Sequence, residues 1–329
     1  MIIFFLVREI ICSFAPNKNM MKENMKKIMK LKLNSFSVFY CSCVLLFSCT
    51  KKEEQKTTQQ QEIVGNEAES STDKVTRSIA DYWDHYNFAD TNAIKDPAQA
   101  EQALVDFIAL FPDANQKQIS QSINAMFEKA SVNKEVFSFF KDGYEKYLYD
   151  PNSPLHNDVY FLPVLEYLVN TKHLNDTEKI RYRMLLKLVN KNMPGSVATD
   201  FEFIDSSGKD QNLHQIKAPE KLLVFYDPEC SHCAEAIKQM SQDVRINTLV
   251  NQEKLKVVAV SPVEDINKWK AYQTNIPTKW INGFDKKGDL KQKELYDIKA
   301  FPTIYLLDEK NEVVLKDTSL EQVLSLLKI

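Results

Sequence analysis

The stretch that decides the fold is LLVFYDPECSHC, residues 222–233. Its first half, Leu222 to Tyr226, is a continuous apolar run, which is typical of a strand buried on both faces of a parallel sheet. Its second half carries two cysteines and leads into a pattern of helical period that continues to about Val244. This order predicts a buried strand, a short turn and a helix, with the cysteines where the helix begins.

Cys230 and Cys233 are placed for redox chemistry. The first turn of a helix has unpaired N–H groups and the positive end of the helix dipole, and both stabilise an anion. We therefore expect a thiolate at Cys230, which is the attacking species in disulfide exchange. Cys233 lies one helical turn further on, within reach of a mixed disulfide. His232 can donate to the Cys230 sulfur or stabilise its charge, unless its imidazole only faces solvent.

The chain after this helix continues in an α/β order. Leu255 to Val260 predicts a second buried strand and Glu264 to Tyr272 a helix. The segments Thr303–Leu307 and Val313–Leu315 predict a hairpin, and Leu320 to Leu327 predicts a closing helix. Strand, helix, strand, hairpin and helix in this order indicate a mixed central sheet flanked by helices.

Phe301-Pro302 opens the first strand of that hairpin. A proline is acceptable at the start of a strand, and an X-Pro bond is also where a cis peptide could shape a substrate groove. The sequence leaves the isomer open, since an ordinary trans proline would fit the same position.

The chain before the sheet is helical in pattern from residue 74 to 193. Cap chemistry at Asn175 to Thr177 precedes one of about six expected helices. The aromatic side chains of this region could line a groove, but a packed core is the simpler interpretation. His85, His156 and His173 share no spacing typical of metal ligands, and we expect them at the surface or hydrogen-bonded. Further helices are expected at Ala98–Phe111, Val159–Val169 and Glu178–Asn190, and two apolar faces at Ile119, Ile123, Met126, Phe127 and at Phe137, Phe140, Tyr144, Leu148.

Composition excludes several classes of protein. The 329 residues are 44% hydrophobic and 26% charged, as in folded soluble proteins. The six glycines form neither a dinucleotide fingerprint nor a phosphate-binding loop. The net charge of −3 argues against nucleic acid as a partner.

The first 48 residues have the pattern of a leader. A basic stretch from Met25 to Lys32 precedes an apolar run, Phe36 to Phe47, which is too short to span a bilayer and fits a secretory signal peptide. Met25 is the natural start by this interpretation. The run ends in LFSC, residues 46–49, which resembles the lipobox of bacterial lipoproteins, with Cys49 as the lipidated residue; an ordinary signal peptide with an incidental cysteine is the alternative.

The residues from 49 to 73 then form a lipidated cysteine and a flexible polar tether, and residues 52–54, KEE, resemble a surface-export signal of some Gram-negative lipoproteins. The resemblance implies a Gram-negative cell envelope, with the anchor in the lipid bilayer and the body facing the periplasm or the cell surface. Cys12, Cys41 and Cys43 fall in the leader. Only Cys230 and Cys233 then remain as thiols, and a staple closing so short a loop would stabilise little.

Residues 194–329 resemble the thioredoxin-fold superfamily, and within it the thiol–disulfide oxidoreductases of the TlpA/ResA type. The resemblance implies that Cys230 is the nucleophile, that Cys233 resolves the mixed disulfide and that Pro302 is the cis-proline of a substrate groove. Asn311 stands where glycine is usual in the hairpin, and asparagine tolerates the same left-handed backbone. Val224 stands where thioredoxin has a buried acid, so the proton acceptor for Cys233 stays open among water, a nearby carboxylate such as Asp227 or Glu229, and other groups.

The helical residues 74–193 are similar to an uncharacterised domain that precedes thioredoxin-like domains in some Gram-negative lipoproteins, which implies no activity. The first hypothesis for the whole chain is therefore an enzyme, a membrane-anchored thiol–disulfide oxidoreductase. It needs no cofactor beyond a redox-active Cys230–Cys233 disulfide, takes protein thiols and disulfides as substrates, and depends on an upstream electron donor. The His-containing dipeptide leaves the direction uncertain, and reduction of clients is the expected one.

Two further classes stay open. A cysteine pair with a histidine can bind a soft metal such as copper, which would make the chain a metal-binding or partner-docking lipoprotein. His214 is the one other histidine of the C-terminal region, so further ligands are not evident. A peroxidase ranks lower, because its activated cysteine would not have a resolving thiol at this spacing.

Overall fold

A computed structural model describes residues 79–328. The expectations for residues 1–48, for Cys49 and for the tether up to residue 73 lie outside the described residues. Within residues 79–328 the chain forms a helical part followed by a seven-stranded mixed sheet covered by helices. The predicted fold class, an all-α part before an α/β part, is confirmed. No helix in this described range has the length and apolar character needed to cross a bilayer.

After helical residues at 79–81, the described helical part contains six α-helices and a π-helical turn at Glu145–Tyr149. Asparagine caps fix the starts of the last four of these helices, and two of the caps, Asn115 and Asn175, each form a reciprocal capping box with the residue three positions on. The predicted cap at Asn175 is confirmed. The helices are α1 Asn92–Lys95, α2 Pro97–Ile108, α3 Gln116–Ala130, α4 Lys134–Tyr144, α5 Asp158–Asn170 and α6 Asp176–Val189.

The aromatic side chains of the helical part form its core. Trp83 is buried and lies within 6 Å, between ring centroids, of Tyr86, Phe88, Phe107 and Phe140. Edge-to-face pairs of this kind add about 0.5–1.5 kcal/mol each beyond their buried area. The predicted apolar faces of α3 and α4 point into the same core. Packing, rather than a ligand groove, therefore accounts for the aromatic content.

The sheet has the strand order β2-β1-β5-β4-β3-β6-β7. The central strand β3 pairs parallel with β4 and antiparallel with β6, which gives the predicted mixed sheet. Alternate residues of β3 face two separate cores, with Leu222 and Val224 on one face and Leu223 and Phe225 on the other. The strands are β1 Glu202–Asp205, β2 Asp210–Asn212, β3 Glu220–Phe225, β4 Leu255–Ser261, β5 Ile281–Phe284, β6 Thr303–Asp308 and β7 Val313–Leu315.

Five α-helices accompany the sheet, and the first of them ends earlier than the sequence predicts. The helix expected to run to about Val244 ends at Gln242, because Asp243 caps a second helix through Arg245 N and Ile246 N. The hairpin turn has Asn311 at φ 65°, the left-handed conformation predicted for it. The helices are α7 Ser231–Gln242, α8 Val244–Asn251, α9 Ile266–Tyr272, α10 Asp289–Gln292 and α11 Leu320–Leu326.

A buried ionic cluster joins the helical part to the sheet. Asp158, the first residue of α5, lies 3.0 Å from the Nζ atoms of both Lys299 and Lys316. Lys299 also contacts Asp317 at 2.8 Å, and His156 Nε2 lies 3.5 Å from Asp158 and from Asp317. Burial raises the pKa of Asp158, but the His156 imidazole and the two lysines hold it well below its usual range. Because these charges are buried and paired, they fix where the two parts meet.

Candidate active site

Cys230 lies where the sequence predicts it, between the end of β3 and the start of α7. It is the N-cap residue of α7, and its Sγ atom accepts the backbone N–H of Cys233 at 3.2 Å. The thiol thus takes the place that a serine or asparagine oxygen takes at other helix starts. Cys230 is half-buried, so its sulfur stands at the positive end of the helix and remains accessible.

Cys233 lies one turn into α7 and is fully buried. Burial raises the pKa of the Cys233 thiol well above its usual range, and the neighbouring Cys230 raises it further, while a hydrogen bond from the Asp227 backbone acts in the opposite direction. The two thiols therefore differ in character. Cys230 is placed to attack or to be attacked, and Cys233 is held as a neutral thiol behind it.

Phe301 and Pro302 face this cysteine pair. The Phe301–Pro302 peptide is cis. The Cys230 thiol donates to the Phe301 carbonyl oxygen, with a sulfur-to-oxygen distance of 3.5 Å. The structure thus brings together four of the residues selected from the sequence, although 68 positions separate Cys233 from Phe301.

His232 is exposed on the first turn of α7, between the two cysteines. Within the described chain, no hydrogen bond or ion pair joins its imidazole to the Cys230 sulfur. Direct donation to that sulfur, one of the two roles considered from the sequence, is absent from this geometry. An electrostatic effect across the short separation stays a prediction.

Sequence reasoning missed a buried polar group beneath the cysteines. The Tyr226 hydroxyl donates to Asn282 Oδ1 at 2.7 Å, and Trp269 Nε1 donates to the same oxygen at 3.1 Å. Tyr226, Trp269 and Cys233 belong to one core cluster. Tyr226 ends the apolar run, and no local signal in the sequence links it to Trp269 or Asn282, which come from α9 and β5. Val224, the valine at the position where the resemblance would lead one to expect a buried acid, is fully buried in the same core.

The cysteine pair was also considered as a soft-metal site. Among residues 79–328, one set of three histidine, cysteine or acidic side chains has its potential ligand atoms within 4.8 Å of one another, and it consists of His156, Asp158 and Asp317. The Lys299 ammonium contacts both of its carboxylates. A lysine therefore already supplies the positive charge there, and Cys230, His232 and Cys233 do not form such a set.

The comparisons with known proteins divide the chain in the same way. Residues 48–192 match the model of a family described as a domain of unknown function (DUF5106), and residues 221–313 match a family described as thioredoxin-like. A crystal structure of a thioredoxin-like protein from Bacteroides caccae is 35% identical in sequence and aligns 83% of this chain with 99% of that protein, with a TM-score of 0.76. The chain belongs to the thioredoxin-like proteins.

Other solved structures match a smaller share of the chain. A conserved protein of unknown function from Bacteroides fragilis is 38% identical over 41% of this chain and 99% of its own, with a TM-score of 0.40. The thioredoxin domain of a thiol–disulfide oxidoreductase from Bacteroides vulgatus is 24% identical over 41% of this chain and 99% of its own, with a TM-score of 0.37. No curated protein matches the chain significantly.

Proposed function

We propose that this protein is a thiol–disulfide oxidoreductase that acts through Cys230 and Cys233. The observation that carries the proposal is the asymmetry of the pair. Cys230 is accessible at a helix N-terminus and accepts a backbone N–H, whereas Cys233 is buried within one turn of it. A nucleophile that can ionise and a neighbouring thiol shielded from outside reagents are what stepwise disulfide exchange needs.

The reaction proceeds in two exchanges. The Cys230 thiolate attacks one sulfur of a client disulfide, forms a mixed disulfide and expels the other client sulfur as a thiolate. Cys233 then loses its proton and attacks the Cys230 sulfur, which releases the second client thiolate and leaves a Cys230–Cys233 disulfide. The client gains two electrons and two protons, the latter from solvent and Cys233, and an upstream dithiol donor must return the enzyme to its reduced form.

Reduction of client disulfides is the proposed direction. An oxidant of this fold class owes its potential to a strongly stabilised reduced form. Here the Cys230 sulfur accepts one backbone N–H at the helix start and, within the described residues, has no contact with the His232 imidazole, so the support for the reduced form is limited. We expect a reduction potential, measured against glutathione, nearer to about −270 mV than to about −120 mV. A reduction potential near about −120 mV would make the protein an oxidant.

A trapping experiment tests the exchange itself. With Cys233→Ala, the mixed disulfide at Cys230 cannot be resolved, so covalent complexes with client proteins should accumulate and disappear on reduction. Cys230→Ala is the matched control, because it removes the attacking sulfur and keeps the other. If Cys233→Ala captures no protein in cells and the purified wild type reduces no disulfide, the proposal is wrong.

The proposed location is the cell envelope of a Gram-negative bacterium, with the protein held on a membrane by lipid on Cys49. The sequence signal at residues 46–49 supports it, and several acyl chains at about 0.8 kcal/mol per buried CH₂ would anchor the chain. Cys49→Ser should move the protein from the membrane fraction to the soluble fraction. Retention of this variant on membranes to the wild-type extent would contradict the anchor.

A further inference from the structure

A groove opens beside the redox centre, and the helical part forms one of its walls. Its volume is about 670 Å³. It lies past the carboxyl ends of β3 and β4, the edge at which open α/β sheets bind their ligands. Its lining includes Asp227, Glu229 and Phe301, which flank Cys230, and Leu188 of α6 is the lining residue that comes from the helical part. The size is in the range of sites that hold a short stretch of side chains.

The groove has an apolar strip. Its members come from three separate segments, namely α6, the loop after β4 and the segment before Pro302. A bound side chain would remove this apolar surface from water at about 25 cal/mol per Å². The strip comprises the half-buried residues Leu188, Val263, Ile298 and Phe301.

Charge on the groove is one-sided. Six carboxylates line it and only two lysines do, Lys268 and Lys291, each in contact with one of the carboxylates, while the carboxylate of Asp297 lies 3.5 Å from Lys299. Lys187, just outside, lies 3.4 Å from Glu294. These exposed ion pairs screen the carboxylates only partly, so the negative potential persists. The carboxylates belong to Asp227, Glu229, Glu264, Asp265, Glu294 and Asp297.

From this arrangement we infer that the groove binds an extended client segment that carries lysine or arginine beside an apolar residue, next to the reacting cysteine. Charge complementarity selects this occupant, since an acidic segment would meet uncompensated repulsion. The inference rests on the proposed function, because a bound segment is a client only if Cys230 exchanges with its disulfide. It also assigns the helical part a role in recognising substrate.

The helical wall is held in place by contacts across the junction. The Asn192 side chain donates to the Leu295 carbonyl oxygen at 2.9 Å, and Lys191 donates to the Glu294 carbonyl oxygen. Asp158 holds Lys299, which stands between the groove residue Ile298 and the cis-proline. These bonds hold the groove residues of both parts in place before a client binds. Binding therefore does not carry the entropy cost of ordering the helical wall.

The test uses the full chain with Cys12, Cys41, Cys43 and Cys49 replaced by serine, so that Cys230 and Cys233 are the only thiols. The substrates are two short peptides of equal length, each with a leucine and a cysteine that carries mercaptoethanol in a mixed disulfide. Lysines flank the cysteine in one peptide and glutamates in the other. Each kcat/KM is divided by that of the same variant with hydroxyethyl disulfide, which needs no groove.

We expect the wild type to prefer the lysine peptide about tenfold at low ionic strength, and less at high salt, where charges are screened. The double substitution Glu264→Lys/Glu294→Lys should abolish or reverse the preference. The matched control, Asp106→Lys/Glu166→Lys, makes the same change of charge on exposed positions of the helical part outside the groove and should keep the preference. A wild-type ratio near one, or an equal loss in the control, would overturn the inference.

A second pair of variants tests the helical wall. Leu188→Ser should lower the relative kcat/KM severalfold for the leucine-containing lysine peptide and leave a glycine-for-leucine version unchanged. Met184→Ser changes an exposed apolar residue of the same helix outside the groove and should have no effect. Equal effects of the two substitutions would remove the role of the helical part. Failure of every variant to reduce hydroxyethyl disulfide would instead contradict the proposed function.

Discussion

Cys230 and Cys233 have the same side chain and opposite surroundings. Cys230 Sγ meets a backbone N–H at a helix start, and Cys233 Sγ lies inside the core against the apolar face of β3. A thiolate gains from the first environment and loses from the second, since burial in an apolar region disfavours charge. The division of labour between the two sulfurs follows from position alone.

This difference predicts selective alkylation. In the reduced native protein, iodoacetamide should modify Cys230 on the order of tenfold or more faster than Cys233, because Cys230 is half-buried whereas Cys233 is buried and burial raises the pKa of its thiol. Peptide mapping by mass spectrometry after short exposures measures both rates. In urea the rates should converge, and similar rates in the native state would contradict the buried, neutral assignment of Cys233.

His232→Ala tests whether the exposed imidazole tunes the couple. If its charge favours the reduced form, its removal should lower the reduction potential by tens of millivolts, with about 30 mV equal to 1.4 kcal/mol. Equilibration against glutathione gives the value. His214→Ala is a suitable control, since His214 lies in the segment after β2, where its Nε2 donates to the Ala198 carbonyl oxygen at 2.7 Å. An unchanged potential in His232→Ala would mean that the imidazole only faces solvent.

At the scale of elements, β5 is a strand that sequence patterns do not indicate. Ile281–Phe284 contains Asn282 and Gly283, which are both rare in strands. The structure supplies the reason for each. Asn282 collects the buried donors of Tyr226 and Trp269, and a Cβ atom at Gly283 would lie 2.5 Å from the Phe203 ring of the packed core.

Gly283→Ala should therefore destabilise the fold by about 1–3 kcal/mol, the usual cost of overpacking a core. Denaturant unfolding monitored by circular dichroism measures the change. Gly283→Ala combined with Phe203→Leu should recover part of the loss relative to the sum of the single changes, because the obstructing ring is gone. Strict additivity would mean that contact with Phe203 is not the cause.

At the scale of the whole molecule, the junction between the helical part and the sheet is ionic and buried. Asp158 is the centre of this junction, with a lysine of the sheet part on each carboxylate oxygen. Removing the Asp158 carboxylate leaves Lys316 charged and without its carboxylate partner in a poorly solvated place, while Lys299 keeps Asp317. Asp158 thereby couples the helical part to the segment before Pro302, together with the contacts of Lys191 and Asn192.

Asp158→Asn should lower stability by about 3–5 kcal/mol, as expected when one partner of a buried ion group is lost. Asp84→Asn, which removes an exposed pair with Lys129, should leave the denaturation midpoint almost unchanged. The free energy of unfolding from urea titrations gives both values. Equally small losses in the free energy of unfolding of the two variants would show that the junction contributes little to stability.

The same group predicts a pH dependence. The pKa of Asp158 is lower in the folded chain than the unfolded value of about 3.9, so its contribution is fully present above that pH and is lost as the pH falls through the folded pKa. Asp297 acts in the opposite sense, because burial raises its pKa. Between pH 5 and about 2, wild type should lose more stability than Asp158→Asn. Parallel pH profiles would contradict this assignment.

The sequence by itself determined the strand–cysteine–helix unit, the mixed sheet and the helical part. These depend on local patterns: an unbroken apolar run, two cysteines one turn apart, asparagine caps and apolar residues at helical spacing. Such patterns act within a few residues, so they can be recognised without knowing what packs against them.

Only the tertiary structure decided what these units contact. It brought the Phe301 carbonyl oxygen within 3.5 Å of the Cys230 sulfur, joined Tyr226, Trp269 and Asn282 by hydrogen bonds in the core that holds Cys233, and placed Leu188 in the lining of the groove. Each of these contacts joins residues that are far apart in the chain. Their energy comes from burial and charge pairing at close range, which the order of residues does not reveal until the chain has folded.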